Sequence, residues 1–434
     1  MTAARDEAPP LAAAVAKVRR RVLPLLVVMF VVNYLDRVNV GFIKAPLAAA
    51  LGIDAAAFGF GAGLFFIGYL LFEVPSNLAL ERFGGRVWLA RIAISWGLVA
   101  AAMAFVQTAW QFHVGRFILG AAEAGFFPGV VYYLTRWLPQ RERGRAMAVF
   151  LSGSAIASIL SGPLAGVLMR IEGLGLAGWQ WMLVIEGLAS VAVGLAAGWW
   201  LDAQPRDALW LTAAEREALD AAIAGDTPAA RHGKPRFVDL LRDPQVALFC
   251  GVYFAIQLTI YAVTFWLPSI IREQGGLSDL EVGLLNSVPW LVAIVGMVVA
   301  ARAAERWPYQ QAWVAVALAI AATGMVAATT GGPLLAYVAI CFAALGFKSA
   351  ASLFWPLPQG YLDPRAAAAG IALINSVGNL GGFVAPTVFG ILEHRTGSIR
   401  GGLLGLAAAS AATAGLVLLA RSRPLSPAAG IQPP

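Results

Sequence analysis

The sequence predicts an all-α integral membrane protein of twelve transmembrane helices arranged as two pseudo-symmetric six-helix halves, and three observations carry that prediction. Hydrophobic residues make up 59% of the 434 and charged residues only 13%, whereas an ordinary soluble domain carries roughly 25% charged residues. Apolar runs long enough to cross a bilayer recur along the chain, and parts of the first half reappear in the second.

A bilayer core about 30 Å thick needs about 20 mostly apolar helical residues per crossing, and Gly or Pro inside a run does not exclude one. Twelve stretches meet that test, near 22–44, 58–80, 87–106, 110–133, 146–169, 181–201, 246–270, 280–301, 310–329, 333–358, 366–391 and 401–420. The charged, Ala-rich start up to Arg21 leads into a run too long, and too interrupted by charge, for a cleaved signal peptide, so that run reads as the first membrane helix. Residues 202–245 are rich in charge, Ala and Pro, with LTAAEREALDAAIAG reading as a short surface helix. The chain thus divides into an N-terminal half, 1–201, a cytoplasmic linker, 202–245, and a C-terminal half, 246–434.

The repeat supports the two halves. With a shift of about 224, GFGAGLFFIGYLLFEVPSNLALERFGGR falls on GLLNSVPWLVAIVGMVVAARAAERWPY, matching Gly59 to Gly283, Glu81 to Glu305 and Arg82 to Arg306. A shift of about 223 puts the RERGRAMAVF segment ending at Pro163 over the DPRAAAAGIALINSVGN segment ending at Pro386. In such an architecture substrate sites lie near the midplane between the halves.

Lys and Arg in short loops mark the cytoplasmic side. About 22 fall on one side, including Arg5 and Lys17 near the start, Arg231, Lys234 and Arg236 in the linker, Arg306 and Arg365 in later loops, and Arg421 and Arg423 at the end. About five fall on the other: Lys44, Arg170, Arg272, Arg395 and Arg400. Both termini and the linker are therefore expected in the cytoplasm, with the protein in the inner membrane of a bacterial type of cell. The remaining four of the 31 basic residues, Arg37, Arg91, Arg116 and Lys348, lie within or at the edge of membrane segments.

Several function classes fall away. The net charge of +7 is scattered and forms no basic stripe, which argues against nucleic acid. Cys250 and Cys341 both lie in apolar segments, with neither a disulfide framework nor metal-ligand spacing. GFGAGLF lies inside a membrane helix and lacks the Lys-Ser/Thr pair of a phosphate-cradling loop, which disfavours an ATP-driven pump. No ligand cluster or nucleophile–base pair is legible, so neither a metal, a cofactor nor an enzymatic activity is expected. Ser and Gly clusters such as LSGSAIASILSG read as close helix packing.

The chemistry begins at VVMFVVNYLDRVNVGFI, residues 27–43, where Asp36 and Arg37 interrupt an apolar run. A charge at the membrane centre costs at least about 2.5 kcal/mol, so such residues face a bundle interior and take a partner. At about 1.5 Å of rise per residue, Asp36 sits about 21 Å above the cytoplasmic face, roughly 9 Å below the outer one, and Arg116 on the antiparallel fourth helix reaches a similar level. Glu123, seven residues beyond Arg116, projects from the same face about 10 Å deeper, near the midplane.

One reading makes Asp36 with Arg37, or Arg116 with Glu123, neutralising pairs that fix helix packing. The other makes Arg37 and Arg116 a carboxylate-binding pair, because guanidinium keeps its charge and presents a fork suited to bidentate recognition. Asp36 and Glu123 are then proton sites, since burial favours a neutral acid and a nearby arginine the charged one. With both acids protonated the arginines favour an anion, so proton and anion recruit each other. Depth puts Asp36 level with Arg116 and beside Arg37, and predicts that Glu123 is the more desolvated acid and the one less held by arginine.

Four motifs resemble a known family. NYLDRVN in the first segment, FEVPSNLALERFGGR after the second, GRFILGAAEAGFFPG in the fourth and RERGRAMA before the fifth resemble the anion:cation symporter branch of the major facilitator superfamily, over about residues 20 to 420. Glu81 stands where the superfamily's loop signature usually has Asp, and with Arg82 and Arg86 it forms the matching gating motif. The second-half counterpart, AERWPYQQ, is more degraded. The wording is nearest to carriers of tartrate and related hydroxy or aromatic acids.

The resemblance implies a major facilitator fold and proton-coupled import of a small organic anion such as a hydroxy-, sugar- or aromatic carboxylate. An organic-anion antiporter or drug-efflux carrier of the same fold is the alternative. It implies the same proton-coupling and substrate roles for Asp36, Glu123, Arg37 and Arg116, and substrate contacts at positions matching Tyr34, Tyr69, Trp355 and Asn375. Gln257 and Tyr261, one turn apart in AIQLTIYAVTFWLP, are further candidates. Lys348 reads either as a third anion contact or as a side chain reaching toward the cytoplasm. The expected partners are the organic anion, protons and membrane lipid, with the protein acting as a monomer.

Overall fold

The structure is a computed structural model that describes residues 9–226, 237–304, 309–362 and 367–420. The basic residues Arg5, Arg231, Lys234, Arg236, Arg306, Arg365, Arg421 and Arg423, and Glu305 of the second loop motif, lie outside the described residues. In chain order the helices are α1 (Pro9–Arg21), α2 (Leu23–Val38), α3 (Val40–Leu51), α4 (Ala55–Phe83), α5 (Gly85–Ala102), α6 (Ala109–Glu123), α7 (Phe126–Trp137), α8 (Gln140–Leu168), α9 (Gly178–Trp200) and α10 (Ala213–Gly225). They continue with α11 (Phe237–Arg242), α12 (Pro244–Arg272), α13 (Asp279–Ala304), α14 (Gln310–Thr330), α15 (Pro333–Phe354), α16 (Pro356–Tyr361), α17 (Ala367–Asn379), α18 (Gly381–Thr396) and α19 (Arg400–Val417). Among the described residues the only β pairing is an isolated bridge between Gly173 and Leu176.

Eleven spans among the described residues are long and apolar enough to cross a membrane. The remaining expected segment, 22–44, is divided at Asn39 into α2 and α3, of 16 and 12 residues. Neither alone reaches across a core about 30 Å thick at about 1.5 Å per residue. Other spans are also interrupted. Ala109–Trp137 breaks after Glu123, where Gly125 takes a left-handed φ of 86°. A side chain there is strained, and an added Cβ meets Ser76 Oγ at 2.4 Å. Trp355 joins α15 to α16, whose first residue is Pro356, and Leu380 joins α17 to α18.

The helices group into two compact units, one built from residues 1–43 and 67–232, the other from 44–66 and 233–434. In the first, Phe30 stacks on Phe150 with ring centroids 4.5 Å apart, tying α2 to α8. Helices α5 and α9 approach more closely than side chains allow. A Cβ added to Gly97 would stand 2.5 Å from the Gly187 carbonyl oxygen, so glycine at both positions lets the backbones touch. The linker helix α10 carries a capping box from Thr212 and Glu215 and is held to α1 by Lys17 Nζ, 2.7 Å from Glu215 Oε2. Trp137 stacks on Trp210 at 5.7 Å beside it.

In the second unit, residues 44–66 are tied to α18 and α12. Lys44 on α3 forms a salt bridge of 2.7 Å to Glu393 on α18, and Trp266 Nε1 donates to Glu393 Oε2 at 2.5 Å. Phe58 packs edge-on against Trp266 at 6.1 Å.

Candidate functional site

Successive residues on an α-helix point about 100° apart, since a turn takes 3.6 residues, so Asp36 and Arg37 meet different neighbours. Asp36 turns toward α5 and α9. Its Oδ2 accepts hydrogen bonds from Trp96 Nε1 at 2.9 Å and Ser190 Oγ at 2.7 Å, and the residue is only 1% exposed. The close approach of α5 and α9 at Gly97 and Gly187 is what sets Trp96 and Ser190 side by side.

Arg37 turns toward α6 and α4. Its guanidinium forms an ion pair with Glu123 and lies 5.4 Å from the centre of the Tyr69 ring. Glu123, 1% exposed, is the last residue of α6, just before the break at Gly125. Arg116 lies two turns earlier on α6, equally buried, and interacts electrostatically with both Glu123 and Arg37. Tyr34, half-buried on α2, hydrogen bonds to Ser158 and packs edge-on against Phe30 at 6.3 Å.

The expectation that Glu123 is the acid less held by arginine is corrected here. Arg37 holds Glu123, whereas Asp36 is held by the neutral donors Trp96 and Ser190. Helical side chains lean toward the N-terminal end of their helix. On α2 that lean carries the Arg37 guanidinium down toward the level assigned to Glu123.

The structure adds an acid that sequence reasoning passed over. Glu186 on α9 is 5% exposed, and its Oε2 accepts from Asn39 Nδ2 at 2.8 Å. Its signal was available, since an acid inside the apolar run WMLVIEGLASV is as conspicuous as Asp36.

The loop residues divide. Glu81 and Arg82 are exposed, and the Arg82 guanidinium lies 5.5 Å from the Phe83 ring centre. Arg86 Nε donates to the Gly198 carbonyl at 2.7 Å, satisfying one of the carbonyls that the end of α9 leaves without a helical partner.

In the second unit, Gln257 and Tyr261 are buried on α12. Gln257 Nε2 stands 3.5 Å from Asn379 Oδ1, and Tyr261 packs on Phe66 at 4.5 Å. Lys348 on α15 lies 5.1 Å from the Trp290 ring centre and interacts electrostatically with Tyr261. Trp355, at the joint of α15 and α16, packs against Tyr253 at 4.7 Å and Phe354 at 5.5 Å. Asn375 is half-buried on α17, one turn before Asn379. Asn379 and Tyr253 were not anticipated. Among the described residues no His, Cys, Asp and Glu cluster is arranged to hold a metal ion, and Cys250 and Cys341 are buried free thiols.

Comparison with known proteins agrees with this architecture. The model of the Major Facilitator Superfamily matches residues 26–386. The chain is 41% identical over 388 residues to a protein of Acinetobacter baumannii named a quinolone resistance transporter, covering 88% of this chain and 89% of that one. It is 40% identical over 411 residues to a putative tartrate transporter of Agrobacterium vitis, covering 94% and 91%. It is 38% identical to the putative metabolite transport protein NicT of Pseudomonas putida, covering 89% and 90%. Among solved structures, a D-xylose–proton symporter superposes with a TM-score of 0.72 at 14% identity, over 92% of this chain and 96% of that one. At such identity the likeness concerns the fold alone.

Proposed function

The chain belongs to the Major Facilitator Superfamily, a family of membrane transporters and not of enzymes, and on that premise we propose that it is a proton-coupled symporter importing a small organic anion. The substrate class is a hydroxy-, sugar- or aromatic carboxylate of the tartrate kind, and the chain resides in a bacterial inner membrane with both termini cytoplasmic. The observation that carries the reading is the partly buried ion pair of Arg37 with Glu123, with Arg116 on the same face of α6. The name of the Agrobacterium vitis relative supports the substrate class.

The mechanism follows from competition for one guanidinium. While Glu123 is ionised it neutralises Arg37. When Glu123 takes a proton, Arg37 loses its counter-ion in a site where an uncompensated charge is costly, and a substrate carboxylate replaces it. Arg116 supplies the second fork, and Tyr34 and Tyr69 offer hydroxyls beside Arg37. Asp36 is the second proton-coupling acid. Gln257, Tyr261, Lys348, Trp355 and Asn375 are further candidates for substrate contact. Glu81, Arg82 and Arg86 serve the gating motif.

A second reading has one specific support, the name of the Acinetobacter baumannii relative, which points to drug efflux or anion exchange by the same fold. Reconstituted liposomes separate the two. Uptake of labelled tartrate, sugar acids and aromatic acids should rise when the outside is acidified, and a sodium gradient should not substitute. Sodium-dependent uptake indifferent to pH would remove proton coupling, and quinolone movement without acid uptake would favour efflux.

A further inference from the structure

Beyond the arginine-linked acid, the first unit holds two carboxyls whose hydrogen-bond donors are all neutral. Asp36 Oδ2 is held by Trp96 and Ser190, and Glu186 Oε2 by Asn39. Their second oxygens, Asp36 Oδ1 and Glu186 Oε1, are buried without a hydrogen-bond partner among the described residues. Neither acid forms a salt bridge there.

The two acids share neighbours on α2 and α9. The Ser190 hydroxyl lies 2.7 Å from Asp36 Oδ2 and 3.1 Å from the main-chain carbonyl of Glu186, one turn back on α9. Asn39, at the joint of α2 and α3 and three residues beyond Asp36, reaches Glu186. Asp36 is the charged group that acts on Glu186, and Glu123 is the one that acts on Asp36. A cavity of about 10 Å³ opens among Asp36, Asn39 and Arg116, about the space of one water.

The other charges on helices packed against α9 are otherwise engaged. Arg37 on α2 pairs with Glu123. Arg86 on α5 reaches the far end of α9 at Gly198, and Arg91 lies over Trp88 at 4.5 Å. The charges of α8, Arg141 to Arg145, stand in its first turns.

We propose that Glu186 and Asp36 form one proton-binding pair that holds a single proton between them, making Glu186 a coupling residue of the transport cycle. Two ionised carboxylates that act on each other, both out of water and each with one unpartnered oxygen, repel each other and leave oxygens unsatisfied. A shared proton removes both penalties. The pair would therefore carry a proton separate from the one exchanged at Glu123. This coupling role rests on the proposed symport, but the shared proton does not.

Infrared difference spectroscopy of the purified full-length protein tests the pair directly, by following the C=O stretch of protonated carboxyl groups against pH with no substrate present. Glu186→Gln retains an acceptor for Asn39 and should abolish the higher of two protonation steps. Asp36→Asn should abolish the same step, leaving the remaining acid with a midpoint lower by about one pH unit or more. Asn39→Ala, which keeps both acids and removes a donor to ionised Glu186, should move the upper midpoint to higher pH, and it serves if either acid variant fails to fold. Unchanged midpoints in Glu186→Gln or in Asn39→Ala would overturn the pair. Absence of acid-driven uptake in the parent, with these shifts present, would sink the symport reading and leave the proton pair standing.

Discussion

Arg37 on α2 is ion-paired with Glu123 on α6 across the first unit, while Asp36, its neighbour in the chain, accepts hydrogen bonds from Trp96 and Ser190. One helical position separates an acid held by neutral donors from an arginine held by an acid. In the proposed cycle the Arg37–Glu123 pair is the element that a substrate carboxylate must displace.

Glu123→Gln should keep Arg37 permanently without its counter-ion. Substrate binding is then retained and loses its dependence on pH, and exchange between loaded sides persists. Accumulation against a gradient is abolished, because no proton leaves. Binding and counterflow measured across pH check this. A variant whose binding stays as pH-dependent as the parent's would move the coupling role to Asp36 and Glu186.

Arg37→Lys and Arg116→Lys keep the charge and lose the planar fork. Each should weaken carboxylate binding about tenfold or more, equivalent to roughly 1.4 kcal/mol. Equilibrium binding of the transported acid is the measurement, and unchanged affinity in both variants would return these arginines to a structural role.

The fold was legible because its signal is one-dimensional. Apolar length placed the membrane segments, while the interruptions inside them, at Asn39, Gly125, Trp355 and Leu380, escaped it, since length carries no information on where within a run a helix changes course. The functional residues were legible one by one, as charges inside apolar runs. Their pairing was not. Rise per residue estimates height along an axis and says nothing about azimuth, so Asp36 and Arg37 were placed at one level although they face different helices. Glu186 carried the same signal as Asp36 but lay outside the motifs that drew attention. The neighbours Trp96 and Ser190 depend on the contact of α5 with α9, which exists only in three dimensions.

That contact is itself testable. A Cβ at Gly187 would stand 2.5 Å from both the Ala101 amide nitrogen and the Gly97 carbonyl oxygen, so the backbones must part. Gly187→Ala should cost about 1–3 kcal/mol, the usual penalty of overpacking, and lower the melting temperature in detergent. It should also impair uptake, by drawing Ser190 away from Asp36. Gly405→Ala on α19, where an added Cβ meets nothing within 4 Å, is the control and should leave stability equal or slightly higher. Equal melting temperatures for parent and Gly187→Ala would show that the α5–α9 seam has more room than its geometry indicates.

Lys44 and Glu393 supply the corresponding test in the second unit. Their side chains are 10% and 22% exposed, and Lys44 Nζ lies 4.6 Å from the Trp266 ring centre. Partial burial makes the pair worth more than a surface ion pair, and it makes the two single substitutions unequal. Lys44→Met keeps the apolar stem and leaves Glu393 with the Trp266 hydrogen bond and some access to water. Glu393→Gln leaves Lys44 charged in the drier position, with Glu273 the other acid acting on it, and should be the more destabilising of the two. The double variant should be more stable than the sum of the singles predicts, by about 0.5–3 kcal/mol, the range found for residues in contact. Thermal unfolding of the three variants in one detergent measures that coupling. Strict additivity would mean that residues 44–66 are held in the second unit by apolar contacts such as Phe58 on Trp266, with the ion pair contributing nothing.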